Sequence, residues 1–291
     1  MGLRVPLEKK QETVRQILCF LLLTSLLSAG VFVWMFHGAR NSMPAVLLMM
    51  YIPGLSAIIT SLIFKSKIGD FGWRPGRFRF LAYSYLLPIV VSILGYGPVW
   101  LSPLADITAK QVMNYRWAKM LGFNLPVPFL VGLLSKMILG FLLTLLFTLG
   151  EEVGWSGFLT PKLRKVFSVP ITSLLVGIYW AVWHFPAIIG GFYGNGTPLR
   201  WALPGFTLAL VGASLIRTVL VDKSKSLWPG VVLHASDNVI LMGIFNEMTL
   251  DKGSARLWVS ETGVFLGIVY IGVALVFRAT QKRSETKTLA G

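Results

Sequence analysis

The sequence predicts an all-α polytopic membrane protein with about eight transmembrane helices, the number of apolar runs long enough to cross a bilayer. Two further observations support that prediction. Hydrophobic residues make up 55% of the chain and charged residues 13%. With a mean hydropathy of +0.70, this lies outside the balance of an ordinary soluble domain. Lys and Arg are also shared unevenly between alternate connecting loops, as membrane topology demands.

The runs lie near 16–36, 43–64, 80–102, 127–150, 169–190, 201–221, 228–246 and 259–278, each about 18–23 residues long. The first follows the basic lead "LEKKQETVRQ". It is too long for a signal peptide and has no clear small-residue cleavage site, so it reads as an uncleaved span. No long linker, low-complexity tract or obvious internal repeat divides the chain. The expected parts are an N-terminal section at 1–126 with about three spans, a core at 127–246 with about four, and a last span and tail at 247–291.

The formal net charge of +15 could suggest nucleic acid. The basic residues lie in short clusters between apolar runs, so orientation in a membrane explains them and no nucleic-acid partner is expected. One side collects Arg4, Lys9, Lys10 and Arg15, the clusters at 65–79 and 162–165, Arg217, Lys223 and Lys225, and the tail from Arg278. The other holds Arg40, Lys110, Arg116, Lys119, Arg200, Lys252 and Arg256. The ratio is about 19 to 7, which puts both termini in the cytoplasm, as an even number of spans requires. A single cysteine, Cys19, excludes an internal disulfide and a multi-cysteine zinc site.

Ionisable residues inside apolar runs mark functional sites, because lipid does not solvate them. Here they are Lys136, the adjacent Glu151 and Glu152, His184 in "YWAVWHFPAI", and His234 with Asn238 in "VVLHASDNVI". Asn238 is four residues after His234, so the two share a helix face. Trp180, four before His184, gives that face an aromatic wall. Gly150, Gly154 and Gly157 permit close helix packing beside the glutamates. The apolar pattern resumes at "GFL", so the fourth helix is expected to continue to about Thr160. Each residue also has a plainer role. A glutamate pair can be a solvated helix end, His234 and Asn238 can be interhelical hydrogen bonders, and Lys136 can snorkel or pair.

Together, Glu, two His and Asn suit peptide-bond hydrolysis. A carboxylate can activate water. Two imidazoles can hold a metal or stabilise an oxyanion, and an amide can hold the substrate carbonyl. Neither HExxH nor GxSxG is present, so the soluble zinc-protease helix and the serine nucleophile elbow are both unsupported.

The stretches "EEVGWS" (151–156), "WAVWH" (180–184) and "HASDN" (234–238) resemble, in order, the motifs of the CPBP family. These are the CAAX proteases and bacteriocin-processing enzymes, also called the ABI domain family. The resemblance runs from about Phe141 to Phe245. It implies an intramembrane endopeptidase acting on a peptide or protein substrate at the membrane. Glu151 would activate water, with Glu152 supporting the site. His184 and His234 would bind metal or form the oxyanion site, which Asn238 would complete. The family is described both as metalloproteases and as metal-free glutamate proteases. Zn2+ held by Glu151, His184 and His234 is therefore one expectation, and a metal-free site is the other.

Two positions depart from the family pattern. Trp180 stands where the family has phenylalanine, and Ser156 where it has the arginine that would pair with Glu152 one turn away. Glu152 is therefore expected either to find a cation on another helix or to be neutral. Ser156→Arg is expected to be tolerated if there is room. Two further classes could use the same residues: a non-catalytic scaffold or bacteriocin-immunity factor of the same fold, and an ion-coupled transporter. Counting from the span ends places His184 about 20 Å deep and His234 about 9 Å deep, so their meeting needs tilt or a recessed start.

Overall fold

The computed structural model describes residues 7–38, 42–110, 128–194 and 196–290, the stretch 284–290 as backbone only. Arg4, Arg40, Arg116, Lys119 and the expected boundary at 126 lie outside the described residues. Apolar runs become helices because only a helix satisfies every backbone group within one lipid-crossing segment. The helices are α1 (Leu7–Phe36), α2 (Met43–Ile63) and α3 (Phe78–Trp100), then α4 (Phe129–Arg164), α5 (Val169–Ile189) and α6 (Leu199–Ser224). Next comes α7 (Trp228–Ser236), which continues as π-turns over Asp237–Asn246, and last α8 (Val264–Ala290). As expected, α4 runs past the glutamates. It includes two π-turn stretches, Lys136–Gly140 and Val153–Leu159.

Among the described residues, seven helices are long and apolar enough to span. The run at 228–246 is not one of them, because His234, Ser236, Asp237 and Asn238 interrupt it. Packing nevertheless makes it cross. Gly205 near the start of α6 abuts Thr262 and Val264, and Gly212 abuts Tyr270. At the far end of α6, Lys223 donates to the Gln281 carbonyl at 2.8 Å. Helices α6 and α8 therefore run parallel, and the chain between them must return through the bundle. The ends gather consistently. Lys162 of α4 donates to Gln16 of α1, and Arg164 pairs with Asp222 of α6 at 3.1 Å. The start of α1 and the end of α8 thus share one end of the bundle.

A small feature was not anticipated in an all-α reading. Strands β1 (Ala105–Ile107) and β2 (Thr249–Asp251) pair antiparallel, Ala105 opposite Asp251. They tie the loop after α3 to the loop after α7, and Trp100 Nε1 donates to Thr249 Oγ1 at 2.9 Å.

Large apolar side chains such as Leu18, Leu22, Leu62 and Ile63 face outward, as a lipid-facing surface requires. Small polar ones such as Thr24, Ser28, Ser56, Thr60 and Ser92 face inward, where they allow close helix approach. Helices α2 and α4 pack closely: a Cβ on Gly154 would lie 2.6 Å from Pro53 Cβ. One apolar cluster joins α1, α2, α4 and α5, and another joins α3, α6, α7 and α8. The polar site lies between them.

The depth mismatch between the histidines has a structural cause. The turn between α6 and α7 is recessed. Ser226 and Leu227 are buried. The loop before α3 covers them: Leu227 N donates to Gly72 O at 3.0 Å and Trp228 Nε1 to Trp73 O at 2.6 Å. Helix α7 therefore begins inside the bundle, which brings His234 to the level of His184.

Candidate active site

Glu151 and Glu152 point to different neighbours, because successive helical residues are about 100° apart. Glu151 is 3% exposed. Its Oε2 accepts hydrogen bonds from two indoles, Trp155 Nε1 at 3.2 Å and Trp180 Nε1 at 2.9 Å. Glu152 is fully buried. Its Oε2 lies 3.3 Å from Arg217 Nε and accepts from Ser156 Oγ. Its Oε1 lies 3.2 Å from His234 Nδ1. The guanidinium of Arg217 also stacks over the Trp180 ring, 4.1 Å from its centre, a favourable cation–π arrangement in a desolvated place. The Arg217–Glu152 contact is an ion pair rather than an aligned hydrogen bond. Arg217 Nε and Nη2 meet no acceptor in hydrogen-bond geometry among the described residues, while Nη1 reaches Ser214 Oγ at 3.4 Å.

Arg217 corrects the sequence reading. Counted there as an orientation signal, it is 1% exposed inside α6. It supplies from another helix the cation that Ser156 cannot. The reason Ser156 is small is also visible. A Cβ on Gly230 of α7 would lie 2.0 Å from Ser156 Oγ and 2.7 Å from Glu152 Oε2. Helices α4 and α7 touch here, leaving no space for an arginine at 156. The expectation that Ser156→Arg is tolerated given room meets a site without room.

His184 Nδ1 lies 3.0 Å from the Trp180 carbonyl. A carbonyl only accepts, so Nδ1 carries the proton and Nε2 presents a lone pair. Both imidazoles pack against the Trp180 indole, His184 at 6.0 Å and His234 at 5.1 Å between ring centres. His184, His234 and Asn238 line one cavity with Trp180, Asp237 and Glu261. Its volume is ≈ 70 Å³, room for a few waters at about 10–15 Å³ each. Glu151 is not among its lining residues. The carboxylate adjoins the cavity through Trp180, whose Nε1 donates to Glu151 Oε2 at 2.9 Å.

The donor set suits zinc chemically, since neutral imidazole nitrogens and carboxylates are its usual ligands and carboxylate-backed histidines are common around it. The positions do not match that chemistry. Among the described residues, no three His, Cys, Asp or Glu are grouped to hold a metal ion. No step below is routed through a metal.

Several residues escaped the sequence reading. Arg217 had a legible signal, a cation within "ASLIRTVLV", which membrane energetics should have marked as internal. Trp155 had none, since a tryptophan near a span end reads as an interfacial anchor. Asp237 was passed over between His234 and Asn238. It faces the cavity and accepts a hydrogen bond from Tyr270 of α8.

Residues 133–240 match the family model described as Type II CAAX prenyl endopeptidase Rce1-like. That segment contains Glu151, Glu152, His184, Arg217, His234 and Asn238. A curated CAAX prenyl protease 2 from Methanococcus maripaludis is 28% identical over 204 residues, covering 65% of this chain and 70% of that protein.

Proposed function

We propose, from the match of residues 133–240 to the Rce1-like model and the similarity to a CAAX prenyl protease 2, that this integral membrane protein hydrolyses peptide bonds at the membrane with Glu151 as the base. The observation that carries this reading is the asymmetry between the two carboxylates. Glu152 is held by Arg217, Ser156 and His234 and is committed to structure. Glu151 is held on one oxygen by two neutral indoles and meets no cation among the described residues, so its second oxygen is left to take a proton from water.

The cavity beside Trp180 takes the water and the scissile carbonyl. Attack on the carbonyl carbon forms a C–O bond as Glu151 accepts the water proton. The developing oxyanion faces the Asn238 amide and His234, which, with its Nδ1–H given to Glu152, donates from Nε2 as the imidazolium. Glu151 then returns its proton to the leaving amine as the C–N bond breaks. Glu152, itself held by Ser156 and Arg217, holds His234 by its Nδ1.

The substrate is a peptide presented at the bilayer. The relative's name points to a prenylated C-terminal motif, and the aromatic and aliphatic lining of the cavity, with Phe206, Leu241 and Met242, suits an apolar side chain of such a peptide. The charge bias supports a cytoplasmic position for the end of the bundle that holds the start of α1 and the end of α8.

The test is hydrolysis of membrane-tethered peptides, prenylated and not, by purified wild type and Glu151→Gln. Loss of roughly 10²–10⁴-fold in rate is expected for the variant, with its thermal unfolding unchanged. Equal rates in the two proteins would remove Glu151 as the base. A wild type inactive on every peptide would favour the scaffold reading.

A further inference from the structure

A second cavity, of ≈ 310 Å³, lies away from the site, between the end of α4, the start of α5 and the ends of α6 and α8. These four helix ends lie together at one end of the bundle, joined by the Arg164–Asp222 and Lys223–Gln281 contacts. Four cations line the cavity: Arg164, Lys223, Arg278 and Lys282. The one carboxylate among the described lining residues, Asp222, is already engaged by Arg164 and Lys225, each at 3.1 Å. Lys223 is fixed by the carbonyl of Gln281. Arg278, half-buried, has no ion pair or hydrogen bond drawn to it among the described residues.

Two further features favour an anion. The first turn of α5 opens here at Val169, and its N-cap Ser168 makes no capping bond. The helix end therefore keeps unmet N–H donors. The wall beside the cations is apolar, made by Val169, Pro170 and Val219. Orientation in a membrane requires basic residues on one side. It does not require them to converge on a hollow with an apolar wall.

We propose that this pocket is a phosphate site at the bilayer surface, filled by the headgroup of an anionic phospholipid. The cations and the α5 terminus hold the phosphate, and the apolar wall meets the start of the acyl chains. Cations near a membrane surface each add to attraction for anionic lipid, and basic pockets between helices recognise such headgroups.

The experiment uses the full-length protein purified in neutral detergent. Its thermal unfolding is followed during titration with short-chain phosphatidylglycerol, phosphatidylcholine, or inorganic phosphate at matched ionic strength. Phosphatidylglycerol is expected to raise the midpoint saturably, and phosphatidylcholine to leave it unchanged. The Arg278→Gln/Lys282→Gln pair should weaken phosphatidylglycerol binding roughly 25-fold, about fivefold per removed charge. Arg256→Gln, at the opposite end, should leave binding as in wild type. If inorganic phosphate alone gives the full shift, and that shift is lost in the pair, the phosphate site stands and the lipid source is overturned. Equal response to phosphatidylglycerol and phosphatidylcholine in wild type, which needs no variant to fold, overturns the site. So does wild-type binding by the double variant.

Discussion

Lys136 and Glu152 are both charged, both lie within α4 and both adjoin a π-turn stretch, yet their surroundings differ in kind. Lys136 donates to the Gly243 carbonyl at 2.6 Å and to Glu247, whose side chain is 42% exposed. The lysine's long stem carries its charge toward a partner that still touches water. Glu152 has no such route. Its carboxylate is met by Ser156 of its own helix, Arg217 of α6 and His234 of α7. A charge near the rim can be met by a carbonyl and a partner that reaches water, whereas a charge in the middle must be surrounded. Surrounding it fixes three helices against one another and sets His234 beside Trp180.

That comparison is broken most severely at Arg217. Arg217→Ala leaves Glu152 charged and without its cation, at an expected cost of about 3–5 kcal/mol. Arg217→Lys should recover little, because an ammonium does not reproduce the stack on Trp180. Unfolding of the purified protein in mild denaturant measures both. The double change Glu152→Gln/Arg217→Met should be more stable than Arg217→Ala alone, since it removes both charges. If Arg217→Ala unfolds like wild type, the ion pair is not what holds the three helices.

Ser156→Arg sharpens the same point from the other side. The contact with Gly230 leaves no space, so an overpacking cost of about 1–3 kcal/mol is expected. Reduced yield of folded protein from membranes would register it. A stable, more active Ser156→Arg protein would mean that α4 and α7 separate readily.

Tyr270→Phe removes the hydroxyl that donates to Asp237. A loss of about 1.5–3 kcal/mol is expected, the range for a hydrogen bond to a charged group. A rise in KM larger than the fall in kcat would place Asp237 on the substrate side of the cavity. An unchanged thermal midpoint would mean the bond contributes nothing.

The smallest effect is expected at the rim. Lys136→Met releases the 42% exposed Glu247 toward water and should cost about 1 kcal/mol, because only the ammonium of the pair is buried. A loss as large as that of Arg217→Ala would erase the distinction between the two ends of α4.

The sequence by itself determined the membrane class, the order of the spans and the candidate site residues. Hydropathy and charge are local properties, written into each run. Glu151, His184, His234 and Asn238 were legible for the same reason: each is a polar residue in an apolar stretch. The partner of Glu152 was not legible. Ser156 made one necessary, but whether it came from α6 depended on helix packing, as did the contact with His234, which lies 82 residues away. The recessed start of α7 was equally hidden, because it depends on the loop at Gly72 and Trp73 closing over Leu227. Periodicity shows which face of a helix is buried. Only the tertiary structure decides what meets that face, because a buried charge is paired by whatever neighbour close packing brings within a few ångströms.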